Sequence, residues 1–255
     1  MRVNVVSDVH GSVEALARSG DGADVLVCLG DLVLFLDYQD SSAGIFASLF
    51  GADNAERLVF LRTARRFEEA RTFSRQLWAS LEADPRDVVD REVRAQYSQL
   101  FDALPEPAYL TYGNVDVPAL WPDYVKPGHT VLDGQVAEIG GKTWGFVGGG
   151  LQTPMRTPYE VDDETFAAKV AAVGAVEVLA CHVPPQVPGL LYDVEARRFE
   201  LGSEAILDAI RDTEPELVLF GHVHQPLRSR VRIGRTECLN VGHFRGTGIP
   251  FRLEY

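Results

Sequence analysis

Short apolar runs alternate with amphipathic stretches along most of the chain. Runs of strand length occupy 3–6, 25–29, 108–112, 143–147, 176–180, 217–220 and 237–241, and most of them close on glycine or a polar residue. Helical patterns at 12–18, 164–173 and 203–211 lie between several of these runs, with Ser203 placed to cap the last helix. Strands alternating with helices predict an α/β chain whose chemistry sits in the loops at the strand ends. The C-terminal third passes from strand to strand, which adds an antiparallel component. The pattern therefore predicts a β-sandwich of two mixed sheets flanked by helices, rather than one doubly wound sheet.

The stretch 40–104 departs from this rhythm. Phe60, Ala64, Phe67, Ala70, Phe73, Leu77 and Leu81 recur every three or four residues, as on an amphipathic helix, and Asp84-Pro85 ends the stripe. A second helix is predicted over 87–103, stopping before Pro105. The segment reads as a helical hairpin inserted into a single domain spanning 1–255. It carries Arg57, Arg62, Arg65, Arg66, Arg71 and Arg75 against Glu68 and Glu69, a local reversal of the overall charge. A solvated face or an oligomer contact is the favoured reading, with an arginine lid that clamps a phosphate as the alternative.

Composition narrows the class further. With 46% hydrophobic and 24% charged residues in 255, the chain has the balance of a globular protein. Its net charge of -13 repels nucleic-acid backbones and anionic membranes, so neither is an expected partner. No apolar run approaches the roughly 18 residues of a membrane span, and the opening residues read as a strand rather than a leader. Cys28, Cys181 and Cys238 all fall in or beside apolar strands without a pairing pattern. Reduced, buried thiols and a cytoplasmic location are expected.

Residues able to bind a metal cluster just after predicted strands. Asp8 and His10 follow the first run, Asp31 the second and Asn114 the third, while His182, His222 and His224 follow later ones. Neighbouring strand ends bring such side chains to one place. Three carboxylate or amide oxygens with four imidazoles suit borderline first-row metals, in a number sufficient for two ions that share a carboxylate. Gly-His-x-His is expected only about 0.01 times by chance in a chain with 23 glycines and six histidines.

The ordered set Asp8-Val9-His10, Gly30-Asp31, Gly113-Asn114-Val115-Asp116, His182 and Gly221-His222-Val223-His224 resembles the signature of the calcineurin-like metallophosphoesterases. His182-Val183-Pro184-Pro185 and Asn240-Val241-Gly242 resemble two further family motifs, so the likeness runs through nearly the whole chain. It implies a fold of paired sheets flanked by helices. It also implies that Asp8, His10 and His224 hold one divalent ion, that Asn114, His182 and His222 hold the other, and that Asp31 bridges them. Asp31, Asn114 and His182 then stand at the centre of catalysis. Manganese is the expected metal, with iron, zinc or nickel as alternatives. A hydroxide between two cations about 3.5–4 Å apart would attack a phosphoryl group in line.

Val115 stands where most of the family has a histidine that protonates the leaving group. General acid catalysis contributes about 10²–10⁴-fold, so substrates with poor leaving groups suffer most from its loss. The sequence is most similar to the small phosphodiesterase branch with the same alteration. It predicts a small phosphodiester substrate, with a phosphomonoesterase or a metal-binding interaction scaffold as the alternatives. Asp116 is expected as a helix N-cap, His243 as an exposed loop residue, and His129 or His243 as the remaining candidate acids. Gly148-Gly149-Gly150 lacks a following Lys-Ser/Thr and reads as a strand-end turn. No Gly-x-Ser-x-Gly nucleophile motif occurs.

Overall fold

The computed structural model describes residues 1–255 and divides into two compact units, one of Met1–Leu32 with Leu100–Tyr255 and one of Val33–Gln99. The first unit holds two large mixed sheets. One has the strand order Phe251–Glu254, Arg2–Val6, Val25–Cys28, Ala108–Leu110, His129–Val131. Only its edge strand Phe251–Glu254 runs antiparallel to its neighbour. The other has the order Arg230–Ile233, Thr236–Asn240, Leu217–Phe220, Val178–Cys181, Lys142–Val147, Gln135–Ile139. Its four central strands are parallel and both edges antiparallel. This is the predicted sandwich, antiparallel component included.

Strict alternation explains why the runs looked uniformly apolar. Val3, Val5, Val25 and Val27 point into the layer between the sheets, where they meet Trp144, Phe146, Val178, Ala180 and Leu219. The intervening residues Leu179, Cys181, Val218 and Phe220 point the other way, onto Phe166, Val170, Ile206 and Ile210 of the helices Asp163–Val173 and Glu204–Thr213. A strand covered on both faces has no polar side to show. Ser203 caps the second helix by accepting from Ile206 N at 3.2 Å, as its sequence position implies.

The second unit departs from the predicted hairpin. It contains Ile45–Phe50, Ala52–Thr63 and Phe67–Ala79, followed by most of Pro85–Ala103. The stripe predicted as one continuous helix is thus two helices. Ala52–Thr63 ends in a Schellman pair, with Arg66 N bonded to Leu61 O at 2.8 Å and Arg65 N to Arg62 O at 3.0 Å. Arg65 takes the left-handed position at φ 57, where glycine is the usual residue, so no glycine announces the break. The break resets the helical phase. Phe60 and Phe67, which one unbroken stripe would bury, are 59% and 56% exposed, while Ala55, Leu58, Leu61 and Ala70 pack with Phe46. Arg66 pairs with Glu69 and Arg71 with Glu68 along the helix surface, as a solvated face would have it.

Candidate metal centre

Register sets the site. In the first sheet Val6 lies opposite Cys28 and Cys28 opposite Leu110; in the second Val147 lies opposite Cys181 and Phe220 opposite Asn240. The strands therefore stop level with one another, and the turns that follow carry Asp8, His10, Asp31, Asn114, His182, His222 and His224 to one spot. All seven residues singled out in the sequence meet there.

Their donor atoms fall into two groups. His10 Nε2 and His224 Nε2 are 3.3 Å apart, and His224 Nε2 lies 3.4 Å from Asp8 Oδ1. On the other side Asn114 Oδ1 is 3.0 Å from both His182 Nε2 and His222 Nδ1. Asp31 stands between them. Its Oδ1 accepts from Val115 N at 2.9 Å, which leaves Oδ2 facing His182 Nε2 at 3.4 Å and His10 Nε2 at 3.8 Å.

These spacings and this chemistry fit divalent cations. Ligands about 2.1 Å from a metal are separated by about 3.0 Å along an octahedral edge and about 3.4 Å along a tetrahedral one. The tautomers agree with that reading. His182 Nδ1 lies 2.9 Å from Leu29 O and must donate to it, so in the neutral ring Nε2 is an acceptor, facing the acceptors Asn114 Oδ1 and Asp31 Oδ2. Neutral His182 Nε2 has no donor to offer those two oxygens, and acceptors held that close need a cation or a proton among them. Burial opposes a charge on His182, but the Asp31 carboxylate outweighs it and pushes the imidazole up to about 9. Burial likewise works to raise Asp31, yet the charge and hydrogen bond of His182 bring it down to about 2. Asp8 is held well below the usual carboxylate range by His224, against its own burial.

Backbone strain concentrates at the same place. Asp8, His10, Asp31 and His222 adopt φ of 57, 41, 55 and 67, in the left-handed region that side chains seldom occupy. Such residues cost on the order of 1–3 kcal/mol each and persist only where their surroundings hold them. Here Asp8 N bonds Gly30 O at 3.1 Å, His10 N bonds Asp31 O at 2.9 Å, and His222 N bonds Asp8 Oδ2 at 2.9 Å.

Several supports were not legible in the sequence. Asp116 is not the expected helix N-cap. Fully buried, it accepts from Asp31 N at 2.8 Å, Leu32 N at 3.0 Å and Gly113 N at 2.8 Å, tying together two of the turns that carry the site. Burial and the charge of Asp31 push its carboxyl up to about 7 against the Gly113 and Leu32 donors. Asn240 donates to Gly221 O and Val223 O at 3.2 and 2.9 Å and so props the Gly-His-x-His turn. Arg245 donates to His10 O at 2.9 Å.

His243 is not the exposed loop residue expected. It is buried, stacks on His224 with ring centroids 3.9 Å apart and planes at 4°, and meets His10 edge-on at 5.9 Å. His129 pairs with Ala108 at the start of the parallel strands, the end opposite the site, and accepts from Lys126 N. That position removes it as a candidate acid. Gly148 and Gly149 form a strand-end turn, with Gly149 N bonded to Tyr112 O, and Gly150 opens the short strand Gly150–Leu151.

A site built this way, with metal-binding side chains gathered at the aligned ends of two facing sheets, defines a candidate metal centre. The model of the calcineurin-like phosphoesterase family matches residues 87–226, more than half of the chain. The chain belongs to that family, whose members hydrolyse phosphoesters with bound divalent metals. The match includes Asn114, His182, His222 and His224, and the fold brings Asp8, His10 and Asp31 to them. One crystal structure is similar over 95% of this chain and 91% of that chain, with a TM-score of 0.58 and 16% identity. The crystal structure of TT1561 of Thermus thermophilus is similar over 96% and 90%, with a TM-score of 0.52 and 15% identity. At such identities these likenesses speak for the fold alone. No curated protein matches the chain. No helix is long and apolar enough to cross a membrane.

Proposed function

We propose that this protein is a phosphodiesterase acting on small substrates with two divalent transition-metal ions. In this reading Asp8, His10 and His224 hold one ion, Asn114, His182 and His222 hold the other, and Asp31 serves both. The observation that carries the assignment is Asp31 Oδ2, turned toward His10 on one side and His182 on the other, while Val115 N occupies Oδ1. When bound, the ions supply Lewis-acid charge to the phosphoryl oxygens and lower the pKa of the attacking water. The chain contributes fixed direction: Leu29 O keeps the lone pair of His182 Nε2 turned inward, and Asp116 holds the Asp31 turn.

Diesters are favoured by what position 115 lacks. Val115 offers only its backbone N–H, already bonded to Asp31, so this side chain gives no proton to a departing alkoxide. Aryl diesters, whose leaving oxygen is stable as an anion, need none. A donor set of oxygens and imidazoles suits manganese first, with iron, zinc and nickel as alternatives. Cys28, Cys181 and Cys238 are free and buried, which suits a reducing cytoplasm. An interaction scaffold would have no need of all seven donors, and none is replaced.

The test begins with metal analysis of the purified protein after loading with manganese, followed by assays on an aryl phosphodiester and the matching monoester. Two ions per chain are expected, with activity lost on chelation and restored by manganese. Asp31→Ala should lose both ions or all turnover. A plateau near zero ions in the wild type overturns the reading. Faster monoester than diester hydrolysis overturns the specificity alone.

A further inference from the structure

Asn114 poses a problem that the ligands themselves do not solve. A carboxamide has an acceptor end and a donor end of nearly the same shape, and only the acceptor end suits a cation. Here Oδ1 faces His182 Nε2 and His222 Nδ1, both at 3.0 Å. Rotated by half a turn, the amide would present its NH₂ group and its partial positive charge to the same place.

The other end of the amide decides the matter. Asn114 Nδ2 donates to Thr157 Oγ1 at 3.0 Å, and Thr157 Oγ1 donates in turn to Glu160 Oε1 at 2.8 Å. Glu160 is fixed from the other side by Thr153, whose hydroxyl donates to Oε1 at 2.6 Å and whose N–H donates to Oε2 at 2.7 Å. An ionised carboxylate only accepts. The Thr157 hydroxyl must therefore spend its one proton on Glu160, which leaves its lone pair for an incoming N–H. That lone pair accepts Asn114 Nδ2 and would repel Oδ1. The main chain keeps the register, since Tyr159 N bonds Asn114 O at 2.9 Å and the short strand Glu160–Val161 pairs with Gly150–Leu151. The threonine hydrogen bonds hold Glu160 below the usual glutamate range despite its partial burial, so it stays an acceptor at neutral pH.

We propose that Thr157 and Glu160 are positioning residues that lock the Asn114 amide with its oxygen inward and thereby set the affinity of one of the two metal positions. The inference rests on the metal centre proposed above and deepens it. Neither residue touches the ions or the substrate; both act through Asn114. Outer partners of this kind typically change metal affinity by about 10–100-fold.

The experiment is a titration of the metal-free full chain with Mn²⁺, and with Co²⁺ to follow each position by its visible absorption. It uses the wild type, Thr157→Val, Thr157→Ser and Glu160→Gln. Valine keeps the shape of threonine and removes the acceptor. In Thr157→Val one binding step should weaken about 10–100-fold while the other keeps its wild-type affinity, and the corresponding Co²⁺ band should shift. Thr157→Ser should restore both. Glu160→Gln should weaken the same step, because glutamine can donate to the hydroxyl and release its proton toward Asn114. Adding it to Thr157→Val should cost nothing more.

Metal-free protein supplies an independent reading, since the Asn114 side-chain amide protons should lose their hydrogen-bonded NMR signature in Thr157→Val and keep it in Thr157→Ser. Wild-type affinity for both ions in Thr157→Val and Glu160→Gln would overturn the proposal and leave the metal centre standing. A wild type that binds no metal would overturn the centre and the proposal with it. If Thr157→Val fails to fold, Glu160→Gln decides alone, by weakening one step or neither.

Discussion

Replacing Gly113 by alanine places a methyl group against Asp31. A Cβ built there would lie 2.0 Å from Asp31 Oδ1, 2.3 Å from Asp31 N and 2.6 Å from Asp31 Cγ, where Cβ atoms essentially never come within 3.0 Å. Something must retreat by roughly an ångström. The Asp31 backbone is the harder of the two to move, because its N–H is bonded to Asp116 and its φ is already 55. The carboxylate yields first, breaking its hydrogen bond from Val115 N, and the remaining contact with Asp31 N forces one of the two turns to shift as well. Overpacking a tight site costs about 1–3 kcal/mol, and a hydrogen bond to a charged group contributes about 1.5–3 kcal/mol. Gly113→Ala should therefore lose about 2.5–6 kcal/mol. For a unit of this size that is on the order of 10 °C in Tm.

Thermal unfolding in the presence of a chelator measures this without any contribution from metal. Gly141→Ala is the control, since nothing lies within 4 Å of its Cβ and only its φ of +75 is adverse, for a loss of about 1 kcal/mol. Metal analysis of Gly113→Ala should show reduced loading at both positions, since the displaced atom belongs to the residue proposed to serve both. A Tm no lower than that of Gly141→Ala would refute the steric argument. Full loading with two ions despite the expected loss of stability would refute the role given to Asp31.

Arg65→Gly should stabilise the second unit by about 1 kcal/mol in a denaturant titration, because it relieves the left-handed φ of 57 at the end of Ala52–Thr63; a loss of stability would show that the arginine side chain matters more than its backbone. Val115→His should raise kcat/KM for esters with basic leaving groups more than for aryl esters; equal slopes against leaving-group pKa in a variant that binds both ions would show that position 115 does not face the leaving oxygen.

The sequence by itself determined the seven inner strands of the two large sheets, the order of the site residues and their positions at strand ends, but not the edge strands Phe251–Glu254, His129–Val131, Arg230–Ile233 and Gln135–Ile139. These are local facts: a strand buried on both faces must be apolar throughout, and the turn that ends it is where polar residues collect. Rare spacings such as Gly-His-x-His then carried the chemistry. The helix break at Arg65 was beyond local reading, because its left-handed residue is not a glycine and the apolar spacing continues through it. Only the packing around Phe46 shows which residues on either side are buried.

The supports of the site were hidden for a different reason. Asp116 lies 85 residues from Asp31, and Thr157 lies 43 residues from Asn114. An aspartate after a turn looks like a cap, and a threonine in a loop looks like solvent-facing filler, until the sheet register brings distant turns together. His243 reads as an exposed loop residue until its ring is seen flat against His224. A ligand can be recognised from its own residue type and spacing, whereas a residue that orients a ligand is defined by what it touches, and contacts between turns so far apart exist only in the folded chain.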